Sequence, residues 1–453
     1  VIPIVTPSEM AAIDAAAPEP VEVLIDRAGA AVARRAVAML GGTYGRRVVV
    51  VAGKGNNGND GRVAGRKLAA RGVQVRVFEA GDAPEVLPPC DLVIDAAYGT
   101  GLQRPYRAPA PPDPATPVLA VDIASGIDGL TGEVRGRPVR AHQTVTFAAL
   151  KPGLLLADGI DACGAIEVVD IGLDVSRARA HLVETPDVAR WLPERDTHTH
   201  KWRSAVWVIG GSPGMTGAAR LACGGAMRAG AGYVRLSVPG AHDAGAPTEV
   251  VQVPVSAALD DIDPADAARF AALVVGPGLG RAPATAEALA AFVARCDRPL
   301  VLDGDALTLL GEQAARVLAG RGAPTVLTPH DRELRELAGE APGADRFAAV
   351  RALAGRTGSV VLLKGATTVV ADPSGEVLVS TTGDARLATA GTGDVLAGCI
   401  GALLARGMPP FRAAAAGAHV HGLAARRASS EGMVAGDLLV HLPAVLSELR
   451  GRP

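Results

Sequence analysis

The sequence predicts an α/β fold built twice in succession, and three observations predict it. The chain has 453 residues, more than one hydrophobic core usually organises. Short β-branched runs alternate with alanine-rich stretches of helical length, the pattern of a mostly parallel sheet covered by helices. Between Asp174 and His200 that pattern stops, and Arg, Asp, Glu, Thr and His gather around Pro186 and Pro193 without apolar periodicity. The boundary is placed there, giving domains of residues 1–180 and 186–453.

In the first domain a helix is expected over residues 7–17, because Thr6-Pro7-Ser8-Glu9 is a helix start signal. Strands are expected at 47–52, 73–78, 92–95, 118–123, 144–147 and 166–170, with a helix at 62–71. The second domain restarts at 205–209 and continues with strands at 233–238, 272–275, 300–302, 325–327 and 360–363. A long glycine-punctuated helical stretch follows from Thr392.

Composition narrows the function. Aromatic residues are only 3% while almost half the chain is apolar, so alanine and glycine carry the packing and the chain does not read as disordered. Lys plus Arg (45) nearly balances Asp plus Glu (47), which gives no reason to expect nucleic acid or an anionic membrane as partner. Five scattered cysteines without a CxxC pair indicate neither a zinc site nor a disulfide framework and fit a cytoplasmic protein. The N-terminal residues do not read as a signal peptide, and no apolar run is pure enough to span a bilayer.

The richest N-terminal motif is VVVVAGKGNNGNDG, a buried strand running into Gly53, Gly55, Asn56, Asn57, Gly58, Asn59, Asp60 and Gly61. Glycines let a backbone approach a ligand, and a helix start offers free N–H groups to a phosphate. Gly53-x-Gly55-x-x-Gly58 satisfies the fingerprint of a Rossmann-like three-layer α/β/α domain, with Glu79 about twenty residues on. Alone the fingerprint is weak, and a plain tight turn is an equal reading. Asp95 and Asp122 end two further strands, each followed by glycines, and Ser125 stands three residues after Asp122. One such aspartate would more often cap a turn. Three strand ends in succession favour one crevice.

GNNGND, DAAYGTGL, VDIASGIDGLTGEV and TVTFAALKPG, in that order, resemble the NAD(P)H-hydrate epimerases over residues 4–173. The resemblance implies a crevice for the hydrated dinucleotide at Asn56, Asn57, Gly58, Asn59 and Asp60 and along Gly99, Thr100, Gly101, Leu102, Gln103, Arg104 and Pro105, with Asp122 on the hydrated nicotinamide. It also implies K⁺ held by Asn57, Asp95 and Ser125, an oxygen set that suits a hard cation. Lys151 is read as a loop cation of structural use or an aid to ligand orientation. Asn59 stands where the family usually has Gly, and Ala124 where it has Pro.

In the second domain the strongest signal is ATAGTGDVLAG, residues 388–398. Gly391, Thr392 and Gly393 before an apolar helix make a nest of N–H groups suited to a transferring phosphate. Asp394 at the helix start can accept a proton from a substrate hydroxyl; the plain alternative is an N-capping aspartate. Lys364 and Gly365, followed by Ala366, Thr367 and Thr368, end another strand, where they could meet a nucleotide. VVGPGLGR, LDGDAL and LTPHDRE each follow strands too.

With the opening HKWRSAVWVIGGSPGMTGAAR, these segments resemble the ribokinase-like NAD(P)H-hydrate dehydratases over residues 200–446. The resemblance implies a ribokinase-like α/β domain in which Gly278, His330 and Asp394 bind the hydrate. Lys364 through Thr368 and Gly393 would bind the adenine nucleotide, with Mg²⁺ bridging it. ADP is the expected co-substrate, because bacterial relatives use it and the alanine-rich, arginine-over-lysine composition looks bacterial. Trp202 replaces an expected Gly, Ala390 a Gly, and Asp331-Arg332 a Pro-Gly. The expected activity is repair of hydrated NADH and NADPH by epimerisation and ADP-dependent dehydration. The expected partners are small molecules and further copies of the chain. Two rival readings are a small-molecule kinase with an N-terminal ligand-binding module, and a first domain that only senses ligand or oligomerises.

Overall fold

A computed structural model describes residues 1–102, 104–195 and 197–451. The chain divides into two compact units, Ile2–Ala180 and His181–Pro453.

The N-terminal unit begins with helices α1 (Pro7–Ala15) and α2 (Val21–Leu40). Thr6 caps α1 through a capping box with Glu9, as the start signal predicts, and the helix ends two residues short of expectation. Then follow β1 (Arg47–Ala52), α3 (Asn56–Ala69), β2 (Gln74–Glu79), β3 (Leu92–Ala96), β4 (Val118–Val121), β5 (Gln143–Phe147) and β6 (Ala165–Val169). The six strands form one parallel sheet in the order β2-β1-β3-β4-β5-β6. One sheet face packs Val48, Val50, Ile94 and Leu119 against α2 and α3; the other buries Val49, Val51 and Val93 under the loops.

Two expectations need correcting here. Residues 56–60, read as a loop before a helix at 62–71, are the first turn of α3, capped by Gly55. Gly58 makes this possible: a Cβ there would lie 1.9 Å from the Gly53 carbonyl oxygen, so only glycine lets α3 start so close to the strand end. The strand expected at 118–123 stops at Val121, because Asp122 has φ +68° and cannot continue a pleat.

In the C-terminal unit β7 (Ala205–Ile209), α4 (Thr216–Arg228), β8 (Tyr233–Ser237), β9 (Val251–Gln252), β10 (Ala272–Val275), β11 (Leu300–Leu302), β12 (Thr325–Leu327), α5 (Asp331–Ala338) and β13 (Val360–Leu363) follow one another. A hairpin of β14 (Thr368–Ala371) and β15 (Val377–Ser380) continues the sheet antiparallel. The order is β15-β14-β13-β12-β11-β10-β7-β8-β9, parallel from β13 onward. The hairpin was not anticipated from sequence. The helical stretch from Thr392 is three helices: α6 (Thr392–Ala405), α7 (Pro410–Arg427) and α8 (Ala435–Leu449). Helix α6 is buried along almost its whole length, and its Gly398 lets it press on α4, where a Cβ would meet the Ala222 carbonyl at 1.9 Å. Among the described residues no helix is long and apolar enough to cross a membrane.

Candidate active sites

In the N-terminal unit the carboxyl ends of β1, β3, β4 and β5 open onto a cavity of about 760 Å³. Asn56, Asn57 and Asp60 line it, as do Gly99, Thr100, Gly101, Leu102, Arg104 and Asp122. Gly58, Asn59 and Pro105 are not among the lining residues, and Gln103 lies outside the described residues. Glu79, the acidic residue of the fingerprint, also faces the cavity, but both its oxygens are taken by Arg62 at 2.6 and 2.7 Å.

Asp122 sits in the left-handed backbone region that a non-glycine residue enters at a cost on the order of 1 kcal/mol. Its N–H, donating to Val145 O at 2.7 Å, holds the turn and directs the carboxylate into the cavity. Oδ1 accepts from Lys151 Nζ at 2.7 Å and from Thr146 Oγ1 at 3.0 Å, whereas among the described residues Oδ2 accepts only from Thr100 N, at 3.4 Å. The Lys151 side chain is 1% exposed and that of Asp122 16%.

Sequence reasoning did not foresee this clamp. Thr146 lies in an ordinary strand alternation, and Lys151 became informative only once β5 placed both beside Asp122. Asp14 of α1 was also missed; it lines the same cavity, and burial raises its pKa against the nearby Lys151 charge. Burial, with the Asp122 and Asp14 charges adding, pushes Asp60 up to about 8, so this carboxyl is a proton donor at neutral pH.

Asp95 and Ser125 lie beneath the cavity, both buried. Asp95 accepts from Ser125 N at 2.8 Å and Ala97 N at 3.3 Å, and burial outweighs these bonds to push its pKa to about 6. Asp95 therefore ties two strand-end turns together. Asn57 with its nitrogen toward Val121 O (3.0 Å) accepts from Gly99 N (3.3 Å); turned over, its oxygen faces the Val121 oxygen instead.

The C-terminal unit gathers its motifs in the same way. The parallel register brings the turns after β10, β11, β12 and β13 to one edge, carrying Gly278, Asp303, His330 and Lys364. Gly391, at φ +90°, caps α6, so Asp394 stands in the first turn and is not the N-cap. Thr392 Oγ1 pairs with the Leu387 and Thr389 carbonyls at 2.9 Å each, and the buried His421 holds Thr392 O at 2.9 Å. A Cβ on Gly393 would lie 3.4 Å from Lys364 Nζ, which places the ammonium against the start of α6.

Lys364 Nζ is 2.8 Å from Asp303 Oδ1 and 3.6 Å from Glu333 Oε2. Burial works against its charge, but these two carboxylates outweigh it and hold the pKa up. Asp303, held also by Thr328 at 2.7 Å, was not singled out from sequence. Burial, and after it the Asp303 charge, pushes Asp394 up to about 7 despite Lys364.

His330 is exposed and caps α5, its Nδ1 accepting from Glu333 N at 3.2 Å. Gly278 has φ +63°, and its carbonyl accepts from Ser212 Oγ at 3.0 Å. Beyond Lys364, Gly365, Ala366 and Thr367 form the turn into β14, and Thr368 is the first residue of that strand.

Two family models match the chain in tandem. One, described as YjeF-related protein N-terminus, matches residues 21–86 and 79–153. The other, described as NAD(P)H-hydrate dehydratase, matches residues 206–447. The bifunctional NAD(P)H-hydrate repair enzyme of Mycobacterium tuberculosis is 42% identical over 410 residues, covering 85% of this chain and 84% of its own. That of Salinibacter ruber is 38% identical over 503 residues, covering 94% and 92%.

The chain belongs to the bifunctional NAD(P)H-hydrate repair enzymes.

Among solved structures, the ADP/ATP-dependent NAD(P)H-hydrate dehydratase of Bacillus subtilis, crystallised with ATP and Mg²⁺, matches at 30% identity with a TM-score of 0.51 over 59% of this chain and 97% of its own. A ribokinase-like superfamily protein of Enterococcus faecalis shares the fold at 21% identity and a TM-score of 0.53. The chain thus joins an epimerase domain to a ribokinase-like dehydratase domain.

The residues expected from sequence to depart from the family have these surroundings. Trp202 stacks on Tyr233 with ring centres 4.5 Å apart and carries Arg269 over its face. Ala124 is fully buried, Ala390 is exposed, and Asp331 pairs with Arg346 at 2.9 Å.

Proposed function

We propose that the N-terminal domain interconverts the R and S forms of hydrated NADH and NADPH at the cavity beside Asp122, and that the C-terminal domain dehydrates the S form at Asp394 with ADP as phosphoryl donor. The observation that carries this reading is the placement of Asp122, a strained carboxylate with one oxygen clamped and the other turned to a cavity large enough for a nucleotide.

The hydrate bears a hydroxyl on the ring carbon next to nitrogen. Epimerisation, by ring opening or by loss and return of water, requires a proton to leave and come back. In ring opening, Asp122 takes the hydroxyl proton as the carbon–nitrogen bond breaks and the electron pair stays on nitrogen. The aldehyde turns, nitrogen re-attacks from the other face, and the oxygen recovers its proton. Asn56, Asn57, Asp60, Gly99, Thr100, Gly101, Leu102 and Arg104 would surround the dinucleotide.

A potassium ion would be held by Asn57, Asp95 and Ser125. The buried Asp95 carboxylate, raised to about 6, fits a cation. Bound there, the ion would supply a positive charge beneath the cavity floor.

In the dehydratase domain water is a poor leaving group. Asp394 accepts the hydroxyl proton while the oxygen takes the β-phosphoryl group of ADP and AMP departs. The ring nitrogen's electron pair then expels phosphate, and loss of a proton from the adjacent carbon restores the dihydropyridine ring. The N–H groups of Gly391 and Gly393 would stabilise the moving phosphoryl group, with Thr392, whose N–H reaches Thr389 O at 3.3 Å, fixing the turn between them, and Lys364, Gly365, Ala366, Thr367 and Thr368 would hold the nucleotide. Gly278 and His330 would flank the hydrate. Mg²⁺ bound with the nucleotide would neutralise phosphate charge.

The same reading places the enzyme in the cytoplasm, in keeping with five free cysteines, and as a homo-oligomer. Mixed hydrate epimers, ADP and Mg²⁺ given to the purified chain should yield NADH absorbance, AMP and phosphate, with both epimers disappearing on a chromatogram. Persistence of the R epimer would reject the epimerase half; a stable phosphorylated product would reject the dehydratase half.

A further inference from the structure

We propose that Lys151 and Thr146 are positioning residues for epimerisation, which together commit Asp122 Oδ1 and leave Oδ2 as the single oxygen that takes and returns the proton. This rests on the reading of Asp122 given above.

An ammonium group has three protons. At Lys151 all three have acceptors: Asp122 Oδ1 at 2.7 Å, Thr146 Oγ1 at 2.8 Å and Phe147 O at 3.1 Å. Lys151 therefore has no proton left for a substrate, and its 1% exposure keeps it from one. Thr146 closes the triangle, accepting from Lys151 and donating to Asp122 Oδ1 at 3.0 Å. Oδ1 thus receives two charge-assisted or neutral donors and is saturated. Oδ2 receives one long bond, from Thr100 N at 3.4 Å, and keeps acceptor capacity toward the cavity.

A merely structural ion pair would need neither this asymmetry nor a carboxylate held in a left-handed backbone at a cavity wall. Further carboxylates line the same cavity, Asp14 and Asp60 among them. A carboxylate free to rotate could turn either oxygen to a donor elsewhere; the Lys151–Thr146 pair removes that freedom, which is how orientation enters a rate.

The test uses the full chain, a single purified hydrate epimer without nucleotide for epimerisation, and dehydration of the S form with ADP as internal control of folding. Lys151→Met should lower the epimerisation kcat about 100-fold with KM within about threefold, leaving dehydration intact. Lys151→Arg should recover about tenfold of that loss, because a guanidinium can still donate to Oδ1. Thr146→Val keeps the ion pair and the side-chain size but removes one donor to Oδ1 and one acceptor of Lys151, and should cost about tenfold in kcat. The double variant Asp122→Asn/Lys151→Met should be no slower than Asp122→Asn alone, since the lysine acts only through the aspartate.

A Lys151→Met chain with kcat within threefold of the parent, or with its loss confined to KM, overturns the proposal. So does full additivity in the double variant. If Lys151→Met does not fold, an unchanged kcat in Thr146→Val overturns it by itself. Should Asp122→Asn keep its rate, the Asp122 reading falls and this inference with it; a dead Asp122→Asn beside an active Lys151→Met removes only the inference.

Discussion

The two domains present the same residue type at the same kind of place, a strand or helix end on the carboxyl edge of a parallel sheet, and they hold it differently. Asp122 is met directly by an ammonium and a hydroxyl on one oxygen. Asp394 is not: among the described residues none donates a hydrogen bond to its carboxylate, and the nearby Lys364 is itself engaged by Asp303 and Glu333. The difference matches what each must do. A base for epimerisation works on one small ring and gains from fixed orientation. A base for phosphoryl transfer meets a nucleotide that brings its own charge and metal, so its surroundings are completed only when that ligand arrives.

The largest break in this comparison comes from exchanging the two carboxylates for amides one at a time. Asp394→Asn should lower dehydration about 1,000-fold while R and S forms still interconvert. Asp122→Asn should do the reverse, sparing dehydration of pure S hydrate and stopping loss of the R form. Chromatography of both epimers against phosphate release reads the two variants in one assay. A variant that silences both activities would mean the domains do not act as separate catalysts.

Much of this frame was legible in the sequence because buried parallel strands leave continuous apolar runs. Arg47–Ala52 and Ala205–Ile209 are strands over the very residues expected, since nothing but a two-sided core accommodates VVVVA or AVWVI. Local backbone detail was less legible. Whether residues 56–60 are loop or helix depends on how closely α3 approaches Gly53, a tertiary matter that a run of Gly and Asn leaves open. The hairpin of β14 and β15 escaped because TVVA and VLVS are short and flank a polar turn. In the sites, single motifs were visible and partnerships were not: Asp122 could be named, but Lys151 lies 29 residues away and Thr146 24. Likewise, Asp303 meets Lys364 across 61 residues.

A smaller effect sharpens the contrast through pH. Asp394 must be ionised to take a proton, and its pKa stands at about 7 because burial and Asp303 disfavour the charge. The kcat/KM of dehydration should therefore rise about tenfold per pH unit below 7 and flatten above it. Asp303→Asn removes the like charge and should shift the bend to lower pH. A profile flat from pH 5.5 to 8 would reject Asp394 as the group that ionises.

The smallest expected effect concerns stability, and it returns to the N-terminal cavity. Asp60 has a folded-state pKa of about 8, against 3.8 for an ordinary exposed aspartate, with burial as the main cause and the Asp122 and Asp14 charges added. Between those two values the folded chain holds a proton that the unfolded chain has lost. Folding stability from this group is therefore greatest below the lower value and declines as pH rises toward the upper one. Asp60→Asn keeps a neutral side chain of the same shape at every pH, so it removes that decline. The variant should melt close to the parent at pH 4 and a few degrees above it at pH 9, followed by a calorimetric scan at each pH. A gain at pH 4 that vanishes at pH 9 would have the wrong sign, and would mean that Asp60 folds ionised, balanced by a cation in the cavity.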